Sequence, residues 1–327
     1  MKSWIVKTIG NPNNALELAE MEIPNITDDE VLIGVNAAAL NFFDILQCQG
    51  KYQEKHKLPF TIGAEIAGVV KAVGKNTPFK IGDRVSAMPE LPKGGLSEMV
   101  AVNHARVFPI PDSLAFSEAA SMMITFHTAY YALHTCGKIK KGEILIVHGG
   151  AGGVGSAAIQ IGKEIGAIVY ATENGDNKAT VCKDIGADVA INISSTDFIE
   201  FVKKETEGKG ADLIFDPVGG DVFDKSRKCI SFFGRILAIG FASGKIPEVP
   251  LNHILIKNYS VVGVHWGLFA KIYPEKIKKE HQNIMHLYEK KAIKPIIYKE
   301  FEFIDLQNAL ELLSEGKCYG KLVIKVK

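Results

Sequence analysis

The sequence predicts an α/β protein in two parts: a doubly wound parallel sheet joined to an all-β, barrel-like unit. Three observations carry this. From Gly142 onward, short Val/Ile runs alternate with helical segments, the pattern of strands linked by helical crossovers. Before that, residues 1–110 read mostly as strands parted by Asn-Pro, Asp-Asp and Gly-Asp steps. The 327 residues also exceed what one hydrophobic core ordinarily holds, so two domains are expected.

In the first part, strands are expected at Ser3–Thr8, Leu16–Ile23, Val31–Ala39, Ile66–Val73, Arg84–Ala87 and Met99–Val107, with one short helix, Phe42–Cys48. Pro109 and Pro111 mark the exit. Ser117 can cap a helix from Glu118 to about His134, with Gly137 as its stop. In the second part, strands are expected at Ile144–Val147, Ile168–Ala171, Val189–Asn192, Asp212–Phe215, Ile236–Ile239 and Val261–Val264. Helices are expected near Val154–Ile165, Asn177–Asp184, Asp197–Thr206, Phe223–Ser231 and Glu275–Lys290. Gly166, Gly186 and Gly208 stand where left-handed caps should end three of them. The tail, Lys294–Phe303, Leu306–Leu313 and Lys321–Val326, reads strand–helix–strand and is expected to rejoin the first part.

Composition narrows the function classes. Net charge is +1, so no strong field directs the chain to nucleic acid or an anionic membrane. The five cysteines are scattered and form no C-x-x-C pair, which argues against a disulfide framework. The first residues lack a signal-peptide core, and no apolar run reaches the length of a membrane span. A cytoplasmic protein is the expectation.

One stretch carries chemistry openly. An apolar strand, Ile144 to Val147, runs into Gly149-Gly150-Ala151-Gly152-Gly153-Val154-Gly155 and then a helix. Gly150, Gly152 and Gly155 fit G-x-G-x-x-G: one glycine for the tight turn, one for backbone approach to a pyrophosphate, one for close helix packing. The helix N-terminus then faces the anion. Glu173 follows about 20 residues on, where an acid contacting the ribose is expected. A dinucleotide site is the reading.

Gly142-Glu143, Gly150-Ala-Gly-Gly-Val-Gly155, Gln160 and Lys163 resemble the signature of zeta-crystallin-type quinone oxidoreductases, zinc-independent members of the medium-chain dehydrogenase/reductase superfamily. Asn41-Phe-Phe-Asp44, Gly50-Lys-Tyr52, Gly63-Ala-Glu-Ile-Ala-Gly68, Gly82-Asp-Arg-Val85 and Gly320-Lys321 extend the resemblance over nearly the whole chain. It implies a GroES-like β-barrel catalytic domain, residues 1–120 and 295–327, and a Rossmann-type doubly wound domain, residues 121–294. Zinc relatives carry a Cys where Asn41 stands and a His where Ala64 stands, and Pro89–Gly95 lacks the four cysteines of a structural zinc loop. Neither zinc site is expected.

Without a Lewis acid, an acceptor that is already electrophilic suits best: a quinone or an α,β-unsaturated carbonyl. Tyr52 donates a hydrogen bond or proton to the developing oxyanion or enolate, or else lines the acceptor site as an aromatic wall. Asn41 offers an amide to cofactor or substrate, or ties its loop, and Asp44 braces the same loop. Thr128 lies where the resemblance puts a contact to the nicotinamide carboxamide. Gly240, Phe241, Ala242, His265, Trp266 and Lys321 complete the implied cofactor contacts, with Phe241 and Trp266 as a flat apolar wall. For cofactor choice, Glu173 favours NADH, while Lys178, with Thr172 and Asn174, favours the 2′-phosphate of NADPH; the family tips this to NADPH. An enoyl thioester reductase is the rival enzyme, and a dinucleotide-binding crystallin-like protein with little turnover the rival of another class. The resemblance also implies a homodimer, since association through the last parallel strand is common in the superfamily and Val261–Val264 is apolar enough to be buried by it.

Overall fold

The computed structural model describes residues 1–327. The chain divides into two units: Met1–Ile124 with Pro295–Lys327, and Thr125–Lys294.

The discontinuous unit is built on Glu30–Ala39, whose near-unbroken apolar run is buried along most of its length. It pairs antiparallel with Ile66–Val73 on one side, and with Met99–Asn103 and Lys321–Lys325 on the other. Arg84–Ala87 and Val107–Pro109 extend one edge, and Ile297–Glu302 joins Lys321–Lys325 in parallel at the other. The tail therefore does rejoin the first part. Lys2–Val6, Leu16–Glu20 and Phe60–Thr61 make a second, three-stranded sheet. Between them lies an aliphatic core that includes Val6, Ile33, Ile62, Leu96 and Leu322.

The contiguous unit holds a six-stranded parallel sheet. Its order is Val189–Asn192, Ile168–Glu173, Ile144–His148, Ala211–Asp216, Ile230–Ala238, Ser260–Gly263. Chain order reverses between Ile144–His148 and Ala211–Asp216, the first and fourth of these strands in sequence, which puts the switch point beside the glycine turn, where open α/β sheets take ligands. Gly166, Gly186 and Gly208 all have positive φ at helix ends, as their spacing predicts. Ser260–Gly263 is the open edge, with Ser260, Val261 and Gly263 exposed. No helix is long and apolar enough to cross a membrane.

Several expected elements are corrected. Ser117 is not the cap: the helix is Phe116–Met122, entered at Ala115, and the Ser117 carbonyl accepts from Ser121 Oγ. Nor does it run on to His134. Ile124 gives its N–H to Glu65 Oε2 at 2.7 Å, so that donor is lost to the helix. A new helix, Thr125–Tyr130, follows, then a π-turn, Tyr131–Cys136, closed at Gly137 by a bond from its N–H to the Ala132 carbonyl. The helix expected at Phe223–Ser231 is Gly220–Cys229, because Ile230 already begins a strand. That strand carries an irregularity at residues 231–234, where Phe233 takes φ 61° and Phe232 and Phe233 lie exposed. Helices Leu251–Lys257 and Trp266–Ile272 are additional to those expected.

Candidate active site

The glycine turn grows from a strand whose central residues, Leu145–Val147, are fully buried. Gly149 turns it at φ 60°, and Gly152 N–H closes the turn on the Gly149 carbonyl at 3.0 Å. Helix Gly153–Ile165 starts with Gly152 as its cap, and its first intrahelical bond is Ser156 N–H to the Gly152 carbonyl. The N–H groups of Gly153, Val154 and Gly155 precede that bond at the positive helix end. Side chains would fill this space differently at each glycine. A Cβ on Gly155 would meet the Gly149 carbonyl oxygen at 2.1 Å, and one on Gly150 would press on Ala171 and Cys182 at 2.9 Å. At Gly152 it would meet only that carbonyl, at 3.2 Å, with open space beyond. The turn therefore packs tightly at Gly150 and Gly155 and leaves space open at Gly152.

Beneath the turn lies a buried polar ladder the sequence did not advertise. His148 Nδ1 lies 2.7 Å from Thr172 Oγ1, and Nε2 lies 2.7 Å from Ser226 Oγ. Ser226 Oγ donates to the Val222 carbonyl, so it accepts from His148 Nε2–H, and Nδ1 accepts from Thr172. Burial holds the His148 pKa below the usual range, consistent with that single proton. Next to it, Asp216 Oδ1 accepts from Val218 and Gly219 N–H. The loops after the fourth and fifth strands are stitched by bonds from Ala242 N–H to the Pro217 carbonyl and Ser243 N–H to the Val218 carbonyl. Thus Gly240, Phe241 and Ala242 lie beside Pro217 and Val218, whose side chains border Gly149. Glu173 is buried at the end of the second strand, Asn174 is exposed, and Lys178 sits half-buried in the first turns of helix Asp176–Asp184. A cavity of about 280 Å³ opens on this side of the sheet, between Ile193–Phe198 and Asp221–Lys225.

Two expected contacts are corrected in this unit. Trp266 is 5% exposed, with its ring 5.3 Å from that of His127, whose Nε2 lies 3.3 Å from His281 Nδ1. It is a core residue rather than an open flat wall. His265 caps the following helix, its Nδ1 accepting from Leu268 N–H at 3.0 Å. Thr128 is buried in helix Thr125–Tyr130, which packs on the helix of the glycine turn.

The discontinuous unit contributes a second cluster. Lys321 Nζ donates to Leu40 O at 2.6 Å, Asn41 Oδ1 at 2.8 Å and Glu65 Oε1 at 2.7 Å. An ammonium has three donors, and all three are taken. Lys321 is therefore not a cofactor ligand, contrary to expectation. Asn41 gives Nδ2–H to Glu65 Oε1 and its backbone N–H to Asp44 Oδ2, so it ties its loop rather than reaching outward. Glu65, fully buried and overlooked in the sequence, joins Asn41, Lys321 and Ile124. Its signal was a carboxylate inside a glycine-flanked apolar segment, Gly63-Ala-Glu-Ile-Ala-Gly68, just ahead of strand Ile66–Val73. Helix Phe42–Cys48, seated on this network, fixes Tyr52: the Lys51 and Tyr52 N–H groups both bond the Leu46 carbonyl, and the Tyr52 ring lies 5.5 Å from that of Phe43. Burial, with Glu54 and Asp44 nearby, raises the Tyr52 phenol above its usual pKa, so it stays protonated at neutral pH.

Burial also pushes the Asp44 carboxyl up to about 7, against the opposing pull of the Asn41 N–H and Lys321, with Glu65 adding to the rise. The unfolded chain loses that proton near 3.8, so between the two values the folded state alone retains it. Stability should therefore fall as pH rises from about 4 to about 7. Asp44→Asn should flatten this slope in urea melts taken across the range; a slope equal to wild type would remove Asp44 as its source. Glu280, likewise pushed to about 7 by burial, contributes in the same direction.

A glycine-cradled helix N-terminus at the switch point of a doubly wound sheet defines a dinucleotide-binding domain, here followed by strands that complete a separate β unit. The zinc-binding dehydrogenase family model matches residues 153–283, and the alcohol dehydrogenase GroES-like domain matches residues 27–112. The quinone oxidoreductase-like protein 2 homolog of Nematostella vectensis is 34% identical over 305 residues, 93% of this chain and 83% of that protein. The crystal structure of Escherichia coli quinone oxidoreductase complexed with NADPH superposes with a TM-score of 0.93 at 26% identity over 100% of both chains. The CurK enoyl reductase structure gives 0.90 at 27%, covering 100% of this chain and 99% of that one. The chain belongs to the medium-chain dehydrogenase/reductase superfamily, among its quinone oxidoreductases, with a GroES-like domain and a Rossmann-type parallel sheet.

Proposed function

We propose that this oxidoreductase is a zinc-independent, NADPH-dependent reductase of quinones or α,β-unsaturated carbonyls. The observation that carries the reading is the Asn41–Glu65–Lys321 network. Where zinc relatives are expected to place a thiolate, this chain has an amide already bonded to Glu65 and Lys321. The Glu65 carboxylate is paired with an ammonium at 2.7 Å. No three His, Cys, Asp or Glu side chains converge as metal ligands. That donor set suits acceptors that need little polarisation.

The bound nicotinamide would supply the hydride. The chain's own residues do the rest. The N–H groups of Gly153, Val154 and Gly155 would hold the pyrophosphate, Lys178 and Asn174 would favour a 2′-phosphate, and Gly240–Ala242 would border the nicotinamide end. The NADPH complex of the E. coli relative supports that choice of cofactor. Tyr52 is the proton donor, kept neutral by burial. Likeness to the CurK enoyl reductase favours a second acceptor class, enoyl thioesters.

Tyr52→Phe should lower kcat/KM on an enone by about 10²-fold while changing quinone reduction less than about threefold, because a reduced quinone takes its protons from water. Steady-state rates of NADPH oxidation with one acceptor of each class check this. Equal, negligible losses on both would leave Tyr52 without a chemical role. If wild type binds NADPH tightly but reduces no quinone, enone or enoyl thioester, the reductase reading itself fails.

A further inference from the structure

The backbone donors of the glycine turn can be followed one by one. Gly150 N–H goes to the Thr172 carbonyl at 3.2 Å, and Gly152 N–H to the Gly149 carbonyl at 3.0 Å. Ala151, at the apex and fully buried, has neither a strand nor a helix partner; its N–H goes to Glu173 Oε1 at 2.9 Å. Glu173 Oε2 accepts from Asn174 N–H at 3.2 Å. Both carboxylate oxygens thus accept from backbone, and the residue is only 8% exposed. An acid that reads ribose hydroxyls needs its oxygens turned outward to accept from them. This one is turned inward, under the turn.

We propose that Glu173 is a positioning residue that clamps the apex of the glycine turn through Ala151, and is not the acid that selects the adenosine ribose. The clamp fixes the Gly150–Ala151 peptide, one residue before the cap of the anion-binding helix. It therefore acts equally on any dinucleotide, phosphorylated at the 2′-position or not. The functional half of this inference rests on the dinucleotide reading above; the structural half does not.

The test pairs two measurements on wild type, Glu173→Ala and Glu173→Gln, each first shown by near-ultraviolet circular dichroism to be folded. Amide hydrogen exchange on the ligand-free protein reads the clamp directly. Ala151 should be protected in wild type, exchange about tenfold or more faster in Glu173→Ala, where a buried donor loses its acceptor, and regain protection in Glu173→Gln, which retains an acceptor oxygen. Fluorescence titration then reads function. Glu173→Ala should weaken NADPH and NADH by a common factor of about ten, and Glu173→Gln should return both to within about threefold of wild type. Selective loss of NADH, with NADPH unchanged or tighter, would make Glu173 a ribose-reading acid and overturn the proposal. So would an unprotected Ala151, or unchanged affinity for both cofactors in Glu173→Ala. If wild type binds neither dinucleotide, the functional reading falls, and the exchange arm still decides the clamp.

Discussion

Replacing Lys321 with Met should lower the unfolding free energy by about 3–5 kcal/mol, the cost of breaking a buried ion pair from one side. Lys321 is 4% exposed and Glu65 fully buried, so solvent cannot take over from either partner. Removing the ammonium strands the Glu65 charge and leaves Leu40 O and Asn41 Oδ1 without the donor each now uses. The double variant with Glu65→Gln should recover part of the loss, because the stranded charge is then gone. Urea denaturation midpoints measure both. A loss below about 1 kcal/mol in the single variant would place the pair among weak surface bridges instead. Activity should suffer as well, since helix Phe42–Cys48, on which Tyr52 is anchored, rests on the same network.

Gly155→Ala should cost about 10²-fold in dinucleotide affinity, judged from typical overpacking penalties. The new Cβ would stand 2.1 Å from the Gly149 carbonyl oxygen and 2.9 Å from Gly150 Cα. Both are backbone atoms of the turn itself, so neither can step aside as a flexible side chain would. The helix must withdraw, taking the Gly153–Gly155 donors with it. Gly162→Ala is the control within the same helix: its Cβ would meet only the side chains of Leu145 and Val169. Titration with NADPH separates the two; comparable affinities would mean that close approach at Gly155 does not set the cradle.

Local chemistry explains what the sequence could reveal. The glycine turn, the six parallel strands and the glycine helix ends follow from φ requirements and Val/Ile runs, which neighbours in sequence decide. The break at Ile124 was hidden because its cause, Glu65, lies 59 residues away. Lys321 was misassigned for the same reason: a long cation looks available until three acceptors from distant segments converge on it. The Trp266 error has a similar source, since a tryptophan after a strand gives no sign of the His127 ring that covers it. Helix Leu251–Lys257 escaped because Leu251, Leu255 and Ile256 are exposed, so its apolar residues carry no inward periodicity. Glu173 was placed correctly on its strand, but its bond to the Ala151 N–H is a tertiary contact that the strand pattern does not reveal.

The discontinuity of the first unit has a consequence for biosynthesis. Its central strand, Glu30–Ala39, leaves the ribosome well before one of its partners, Lys321–Lys325, has been made. Glu65 likewise waits for a counter-ion that lies 256 residues further along the chain. The Thr125–Lys294 unit, by contrast, is complete in an unbroken stretch of chain before residue 295 is added. The usual vectorial order, N-terminal domain first, is therefore inverted here: the nucleotide-binding unit can close while the older part of the chain still lacks one edge of its sheet and the cation at its centre.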